Sequence, residues 1–207
     1  FEDNKFIIQN EYRQKNKKSE LIFDAGLTKG YQAVIDGKKS NRNTIGHLFL
    51  EFDYELDFEN YTDSRVKTKI EKVTNDTYLK VFQNNLFKTS VMPDSQSVMK
   101  NEISLELNKN ENYFKSGIEI FENLGGKNSD RYQYVFPYYE FSKNLINDEK
   151  KGSITFNSNG SNNLINTNNL TSKITNNLSY VSPSYISNFG FENKIGLYGK
   201  NFNIISK

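Results

Sequence analysis

The 207-residue chain has no cysteine, no tryptophan and only three prolines. Without cysteine there is no disulfide framework, zinc–thiolate site or thiol nucleophile. An excess of either charge is also lacking: 27 Lys and Arg stand against 25 Asp and Glu, a formal net charge of +2. A dedicated nucleic-acid binder concentrates a basic excess. Here the basic residues scatter among acids, so no nucleic-acid partner is expected. No apolar run approaches the roughly twenty residues of a transmembrane helix, and mean hydropathy is -0.75. A membrane protein is not thereby excluded, because a barrel strand alternates apolar and polar residues and keeps a low average. The sequence opens at Phe1 without the charged, apolar and small-residue regions of a signal peptide. It reads as an internal section of a longer protein, residues 1–207 forming a single segment.

What is abundant is Phe (16), Tyr (13) and Asn (30). The asparagines are read as codon bias, not as a ladder with a function. The organising feature is period two, in about ten segments each followed by a polar patch. The clearest puts Leu48, Leu50, Phe52, Tyr54 and Leu56 on one face and His47, Glu51, Asp53 and Glu55 on the other, interrupted by Phe49. Val66, Thr68 and Ile70 likewise oppose Lys67, Lys69 and Glu71, and Ile103, Leu105 and Leu107 oppose Glu102, Ser104 and Glu106. Ile118 and Ile120 oppose Lys115 and Glu119, and Ile174, Leu178 and Tyr180 oppose Lys173, Thr175 and Asn177. At the end of the chain Phe191, Ile195 and Leu197 oppose Glu192 and Lys194 in what reads as one segment. Side chains of a strand alternate faces, so each segment is a half-apolar strand. The predicted fold is all-β: an antiparallel up-and-down meander of about ten strands, an open part of a transmembrane β-barrel.

Two further features point to a barrel. Short charged connections such as 16–18, 57–60 and 108–112 largely alternate with longer ones such as 36–43, 75–96 and 125–130, as in outer-membrane barrels. Segments of roughly 9 to 13 residues suit a tilted membrane-spanning strand, whereas soluble strands usually run near 5 or 6. Aromatics near segment ends (Tyr54, Tyr61, Tyr113, Phe114, Phe121, Tyr132, Tyr180, Tyr198) fit interfacial girdles.

Signals for catalysis are weak. The single histidine, His47, lies on the polar face of a strand, where a hydrogen-bonded wall residue is the simpler reading than a general base. Glu51, Asp53 and Glu55 could serve glycoside chemistry or hold calcium. They read more simply as the wetted side of a strand, balanced by Lys67 and Lys69 across an antiparallel pair. Gly125-Gly126 is a turn without phosphate-loop context, and Asn159-Gly160 marks a hairpin or a kink inside a strand. No enzyme, metal or cofactor is expected.

Two stretches depart from the alternation. In Val73–Phe82, Tyr78, Leu79 and Phe82 recur at helical spacing after a cap at Asn75 or Asp76. An apolar turn within a long loop should fold back onto something. In Gly126–Tyr139 a polar loop opens into a strand whose aromatic faces switch parity around Pro137. Proline cannot donate to the ladder, so a bulge or bend is expected there.

With these stretches the chain resembles the LptD family, outer-membrane barrels that assemble lipopolysaccharide at the cell surface. The resemblance is carried by Lys72–Phe82, by Asp130-Arg131-Tyr132-Gln133-Tyr134-Val135-Phe136-Pro137, by Glu11-Tyr12-Arg13, and by Gly46–Leu50 ahead of Tyr54-Glu55-Leu56. It runs over nearly the whole chain in the family's order. It implies the middle of a barrel wall in a Gram-negative outer membrane, without the periplasmic jelly-roll or the lateral-gate strands. The implied partners are lipopolysaccharide, membrane lipid, an LptE-like lipoprotein plug and, through the jelly-roll, an LptA-like periplasmic bridge.

On that basis Glu51, Asp53, Glu55, Lys67, Lys69, Glu71, Glu102, Glu106 and Glu119 are the expected lumen wall. Asn75, Asp76, Tyr78, Leu79 and Phe82 are the expected plug-contacting or lumen-capping loop, and Asp130, Arg131, Tyr132 and Pro137 the family-like loop and strand. The residues themselves leave open another outer-membrane barrel, a porin or transporter wall, and a secreted β-sandwich with a binding face.

Overall fold

A computed structural model of the protein describes residues 6–35, 37–42 and 45–207. Parts of the predicted 36–43 loop, Asp36 and Asn43 among them, lie outside the described residues. The chain begins with β1 (Ile7–Lys15) and β2 (Ser19–Thr28), then a separate hairpin of β3 (Tyr31–Ile35) and β4 (Lys38–Arg42). It continues through β5 (Ile45–Glu55), β6 (Asp63–Val73), the helical turn α1 (Tyr78–Phe82), β7 (Val98–Lys109) and β8 (Asn112–Asn123). A 3-10 turn, η1 (Asn128–Arg131), leads into β9 (Tyr132–Asp148), β10 (Gly152–Ile165) and β11 (Asn169–Val181). A small hairpin, β12 (Tyr185–Ile186) and β13 (Glu192–Asn193), precedes β14 (Gly196–Ser206).

Ten of these strands form one antiparallel sheet in the order β1-β2-β5-β6-β7-β8-β9-β10-β11-β14. With the two hairpins set aside, every strand pairs with its neighbour in sequence, so the sheet is a pure meander. It is open among the described residues, with β1 and β14 as its edges. Its strands run from 9 residues in β1 to 17 in β9. Among the described residues no helix is long and apolar enough to cross a membrane.

Alternation and register decide the two faces. Leu21↔Phe52↔Thr68↔Ile103↔Ile118 form one continuous row across five strands, and Ile22↔Glu51↔Lys69↔Glu102↔Glu119 form the next row, on the opposite face. Most residues of both faces are half-buried, but the extremes run opposite to those of a soluble domain. Leu27 (67%), Ile103 (51%) and Ile118 (45%) stay exposed on the apolar face, while Asp24 (0%), Glu71 (3%) and Ser104 (3%) are buried on the charged one. The 24.0 kDa chain exposes 14217 Å², where a compact monomer of this mass exposes roughly 9,900 Å². A single sheet with one uncovered apolar face accounts for the excess.

Four sequence expectations are corrected. Connections alternate short and long only as far as β10. The β10–β11 connection (166–168) is then short on the long-loop rim, and the β11–β14 connection (182–195) is long on the short-turn rim. The segment read as one strand from Phe191 to Leu197 is divided, because Phe191 and Glu192 belong to the hairpin and Leu197 to β14. Aromatics named as a girdle are split between faces: Tyr54, Phe114, Tyr132 and Tyr180 lie on the apolar side and Tyr113, Phe121 and Tyr198 on the charged side. The N-cap position of the helical turn is taken by Thr77, not by Asn75 or Asp76.

At Pro137 the register of β9 shifts against both neighbours, between Gly117 and Glu119 and between Ser161 and Asn163. The Pro137 nitrogen has no proton to donate, and the bulge absorbs the missing ladder bond. Asn159-Gly160 lies inside β10, where the ring of Tyr139 on β9 covers Gly160 so closely that an added Cβ would come within 2.5 Å of it.

Candidate functional site

The charged face is a cross-strand lattice. Antiparallel register sets Glu51 against Lys69, Asp53 against Lys67 and Glu55 against Arg65, then Lys67 against Ser104 and Lys69 against Glu102. Lys67 reaches Glu106 at 2.7 Å, and Lys69 lies 3.0 Å from Glu71 and 3.7 Å from Glu51. Lys100 lies 2.9 Å from Glu102 and 2.7 Å from Glu119, and Lys115 contacts Glu102 and Glu106 at 3.3 and 3.5 Å. The Tyr138 phenol donates to Glu102. All eight predicted wall residues from Glu51 to Glu106, and Glu119 with them, therefore share one face.

The lysines bridge acids on their own and adjoining strands, which offsets the direct opposition of Glu20 to Asp53 and of Glu102 to Glu119. Acids still outnumber bases, so the face is polar and mildly acidic. A groove of about 480 Å³ runs over it between Glu20, Glu51, Lys69, Glu102 and Lys115. No cluster of three or more His, Asp or Glu able to hold a metal occurs among the described residues.

The segment 74–97 folds over the same face at the long-loop rim. Tyr78, Leu79 and Phe82 are buried with Phe49, Ile45 and Val73 in the main apolar cluster. That gives Phe49, the residue breaking the alternation of β5, its partner: the strand places it on the charged side, and α1 covers it. A polar network pins the turn. The His47 ring stacks on Phe49 with centroids 4.5 Å apart. Its Nδ1 lies 2.8 Å from the Tyr78 phenol oxygen and its Nε2 3.2 Å from Asp24 Oδ1.

A carboxylate oxygen only accepts, so the ring proton belongs on Nε2 and Nδ1 accepts from the phenol. Burial first, and then the Asp24 charge, push the Tyr78 hydroxyl up to about 12, which keeps it a donor. The second carboxylate oxygen of Asp24 accepts from Gln9 Nε2 and Thr89 Oγ1, both at 2.8 Å. The ring needs the absence of a side chain beside it, because a Cβ on Gly26 would come within 2.3 Å of His47 Cε1. Tyr31 of the β3–β4 hairpin reaches Thr77 Oγ1 at 2.5 Å. Asn75 and Asp76 lie in the lead-in to the turn, outside the apolar cluster.

The family-like stretch forms a second ionic centre on the opposite face. Glu122, 3% exposed at its side chain, accepts from Lys72 at 2.6 Å and from Arg131 Nε at 2.9 Å. Tyr132 adds a longer contact to Glu122 at 3.4 Å. Asp130 is exposed and Pro137 sits at the bulge. Asp24, Glu122, Gln9 and Thr89 were missed by sequence reasoning. Glu122 carried one available signal, as an acid ending the apolar alternation of Ile118 and Ile120, whereas Asp24 lies on the mixed polar face of β2 and its partners come from far along the chain. No family model matches the chain, and neither a curated protein nor a solved structure does.

Proposed function

We propose that the chain forms part of the wall of an outer-membrane β-barrel of the LptD type, which delivers lipopolysaccharide to the outer leaflet without covalent chemistry. One observation carries the membrane half of this reading: the sheet leaves a continuous apolar face uncovered, with its charged lattice on the other side. In water such a face costs roughly 25 cal/mol per Å² of apolar surface. In hydrocarbon the same face is at home, and the meander satisfies its backbone bonds between strands. The charged lattice then lines an aqueous interior, where paired Lys and Glu hydrate the headgroup of a passing amphiphile or meet a plug. The 74–97 segment narrows that interior at one rim. The cargo, the lipoprotein plug, the periplasmic bridge and the Gram-negative outer membrane rest on the resemblance of Lys72–Phe82 and Asp130–Pro137 to the family.

The absence of cysteine gives a clean background for the test. Single cysteines from Leu48 to Leu56, labelled with a fluorophore in the membrane-inserted protein, are expected to be quenched by lipid-borne quenchers at Leu48, Leu50, Phe52 and Tyr54. The intervening Phe49, Glu51, Asp53 and Glu55 are expected to respond to an aqueous quencher. Absence of lipid quenching along the whole strand would refute the barrel. Crosslinkers at Glu51 and Asp53 then decide the cargo: capture of lipopolysaccharide supports the assembly reading, and a wall that captures none belongs to another barrel.

A further inference from the structure

Five connections share the short-turn rim, and one of them is unlike the rest. Residues 16–18, 56–62, 110–111 and 149–151 are brief and charged. The fifth connection, 182–195, carries the β12–β13 hairpin, and its stretch Pro183-Ser184-Tyr185-Ile186-Ser187-Asn188-Phe189-Gly190-Phe191 has no charged residue. The tip is a built turn. Gly190 adopts φ 82° and donates to Ser187 O at 2.9 Å, and Ser187 donates back to Phe191 O at 2.8 Å. On this frame Phe189 is 88% exposed, Phe191 71%, Tyr185 68% and Ile186 67%.

The disposition of these side chains selects their surroundings. Tyr185 and Ile186 are consecutive in a strand, so they point to opposite sides of the ribbon, and both are two-thirds exposed. A partner protein would cover one side of a two-stranded ribbon. A lipid leaflet surrounds both. The hairpin is also continuous with the apolar face of the sheet: Ser182 and Ile195 extend the β11–β14 ladder, and Ile195, Leu197 and Tyr180 follow on the outward side by register. Charge is confined to the returning arm, where Glu192 pairs with Lys194 at 3.1 Å. Aromatic rings over an uncharged turn, backed by a charged base, are the composition that settles at the headgroup–acyl boundary.

We propose that the 182–195 hairpin is a lipid anchor, inserting the Tyr185–Phe191 tip into the interfacial layer of a bilayer at the short-turn rim. The proposal goes beyond the barrel reading and requires a bilayer at this rim, not a closed wall or a lipid cargo.

Because the chain has no tryptophan, Phe189→Trp supplies its only indole, at an exposed position where substitution leaves packing intact. A separate Ile103→Trp chain reports on the middle of the sheet's apolar face. Both full-length chains are reconstituted with phosphatidylcholine vesicles brominated near the top of the acyl chain, and emission is compared with unbrominated vesicles. Quenching of Phe189→Trp by roughly twofold is the expected result for an indole held in the interfacial layer. An unquenched Phe189→Trp overturns the anchor, whether aqueous acrylamide reaches it (a free loop) or fails to (a protein contact). The Ile103→Trp chain separates the two ideas. Its quenching alone leaves the barrel standing without the anchor, and quenching of Phe189→Trp alone leaves the anchor and removes the barrel.

Discussion

The strands from β2 to β8 and those from β10 to β14 use the same period-two pattern but make two different outward faces. In the first block the outward rows are apolar through the middle of the sheet, as in Leu21↔Phe52↔Thr68↔Ile103↔Ile118 and Phe23↔Leu50↔Ile70. In the second, Ser158↔Asn176↔Asn201 and Asn162↔Ser172 cross mid-strand with only Ile174 apolar between them, and apolar rows lie toward the ends, as in Ile154↔Tyr180↔Leu197 and Leu164↔Leu170. The polar band is internally bonded: Ser158 donates to Asn176 Oδ1 at 2.7 Å, Ser172 donates to Asn162 Oδ1 at 2.7 Å, and the Tyr139 phenol lies 3.1 Å from Ser158 Oγ.

A face can therefore be made compatible with a dry environment in two ways, by carrying no polar groups or by pairing those it carries. The opposite faces differ as well. The first block is capped at one rim by the 74–97 segment, and an open groove of about 620 Å³ runs from its last strands into the second block, bordered by Lys100, Glu119, Tyr138, Lys173 and Phe202.

The largest expected effect removes the cap and makes the two blocks alike. Phe82→Ala empties a fully buried ring site between Tyr31 and Tyr78, its aromatic neighbours, at a cost of about 4 kcal/mol. Hydrogen exchange and protease cleavage within 74–97 are expected to rise steeply, while the β10–β11 ladder keeps its protection. Equal loosening of both blocks would show that the segment supports the whole sheet and is not a local cover.

Next in size is a charge on the outward face. Ile103→Arg places a guanidinium in the apolar rows and is expected to destabilise the membrane-inserted chain by about 3 kcal/mol. Asn176→Arg, in the polar band, is expected to cost clearly less. Denaturant midpoints of both variants in vesicles measure the difference. Equal costs would mean that the band faces lipid like the rest of the wall.

These predictions depend on register, and register is what the sequence carried best. Ten long strands, the meander and the assignment of Glu51, Lys69 and Glu102 to one face were readable because each needs only local alternation and neighbour pairing. Three things were not readable. The change of face in β14, where Tyr198, Phe202 and Ile204 fall on the side of Ser179, Thr175 and Lys173, depends on how β14 registers with β11. The 182–195 hairpin hid because Phe191 and Leu197 kept the same parity across a break in the strand. The Asp24–His47–Tyr78–Thr89 network joins four segments that are distant in sequence, and no spacing rule connects them.

That network gives the third prediction. Asp24→Ala removes the acceptor for His47 Nε2, Gln9 and Thr89 together, leaving buried donors unpaired at about 2 kcal/mol. Asp24→Asn is expected to recover part of this, because its carbonyl oxygen still accepts although the amide nitrogen does not. Gly26→Ala should reproduce the loss without replacing any polar residue, since the new methyl occupies the space of the imidazole and displaces it. The readout is the same exchange signal in 74–97. A Gly26→Ala chain with the protection of the parent would show that the ring is not what holds the segment.

The smallest effect concerns how the polar band tolerates its surroundings. Ser158→Ala takes the hydrogen-bond partner from both Tyr139 and Asn176, at about 1 kcal/mol. If the band faces lipid, the orphaned amide of Asn176 has no water to turn to, and adding Asn176→Leu should restore most of the loss, since an apolar pair suits hydrocarbon. If water wets the band, the orphan is solvated, Ser158→Ala costs little, and Asn176→Leu adds an exposed apolar side chain without recovery. The sign of the coupling between the two substitutions therefore reports what the second block faces. A positive recovery places β10 and β11 in the same hydrocarbon as β7. Its absence makes the polar band a wetted or protein-covered seam in an otherwise apolar coat.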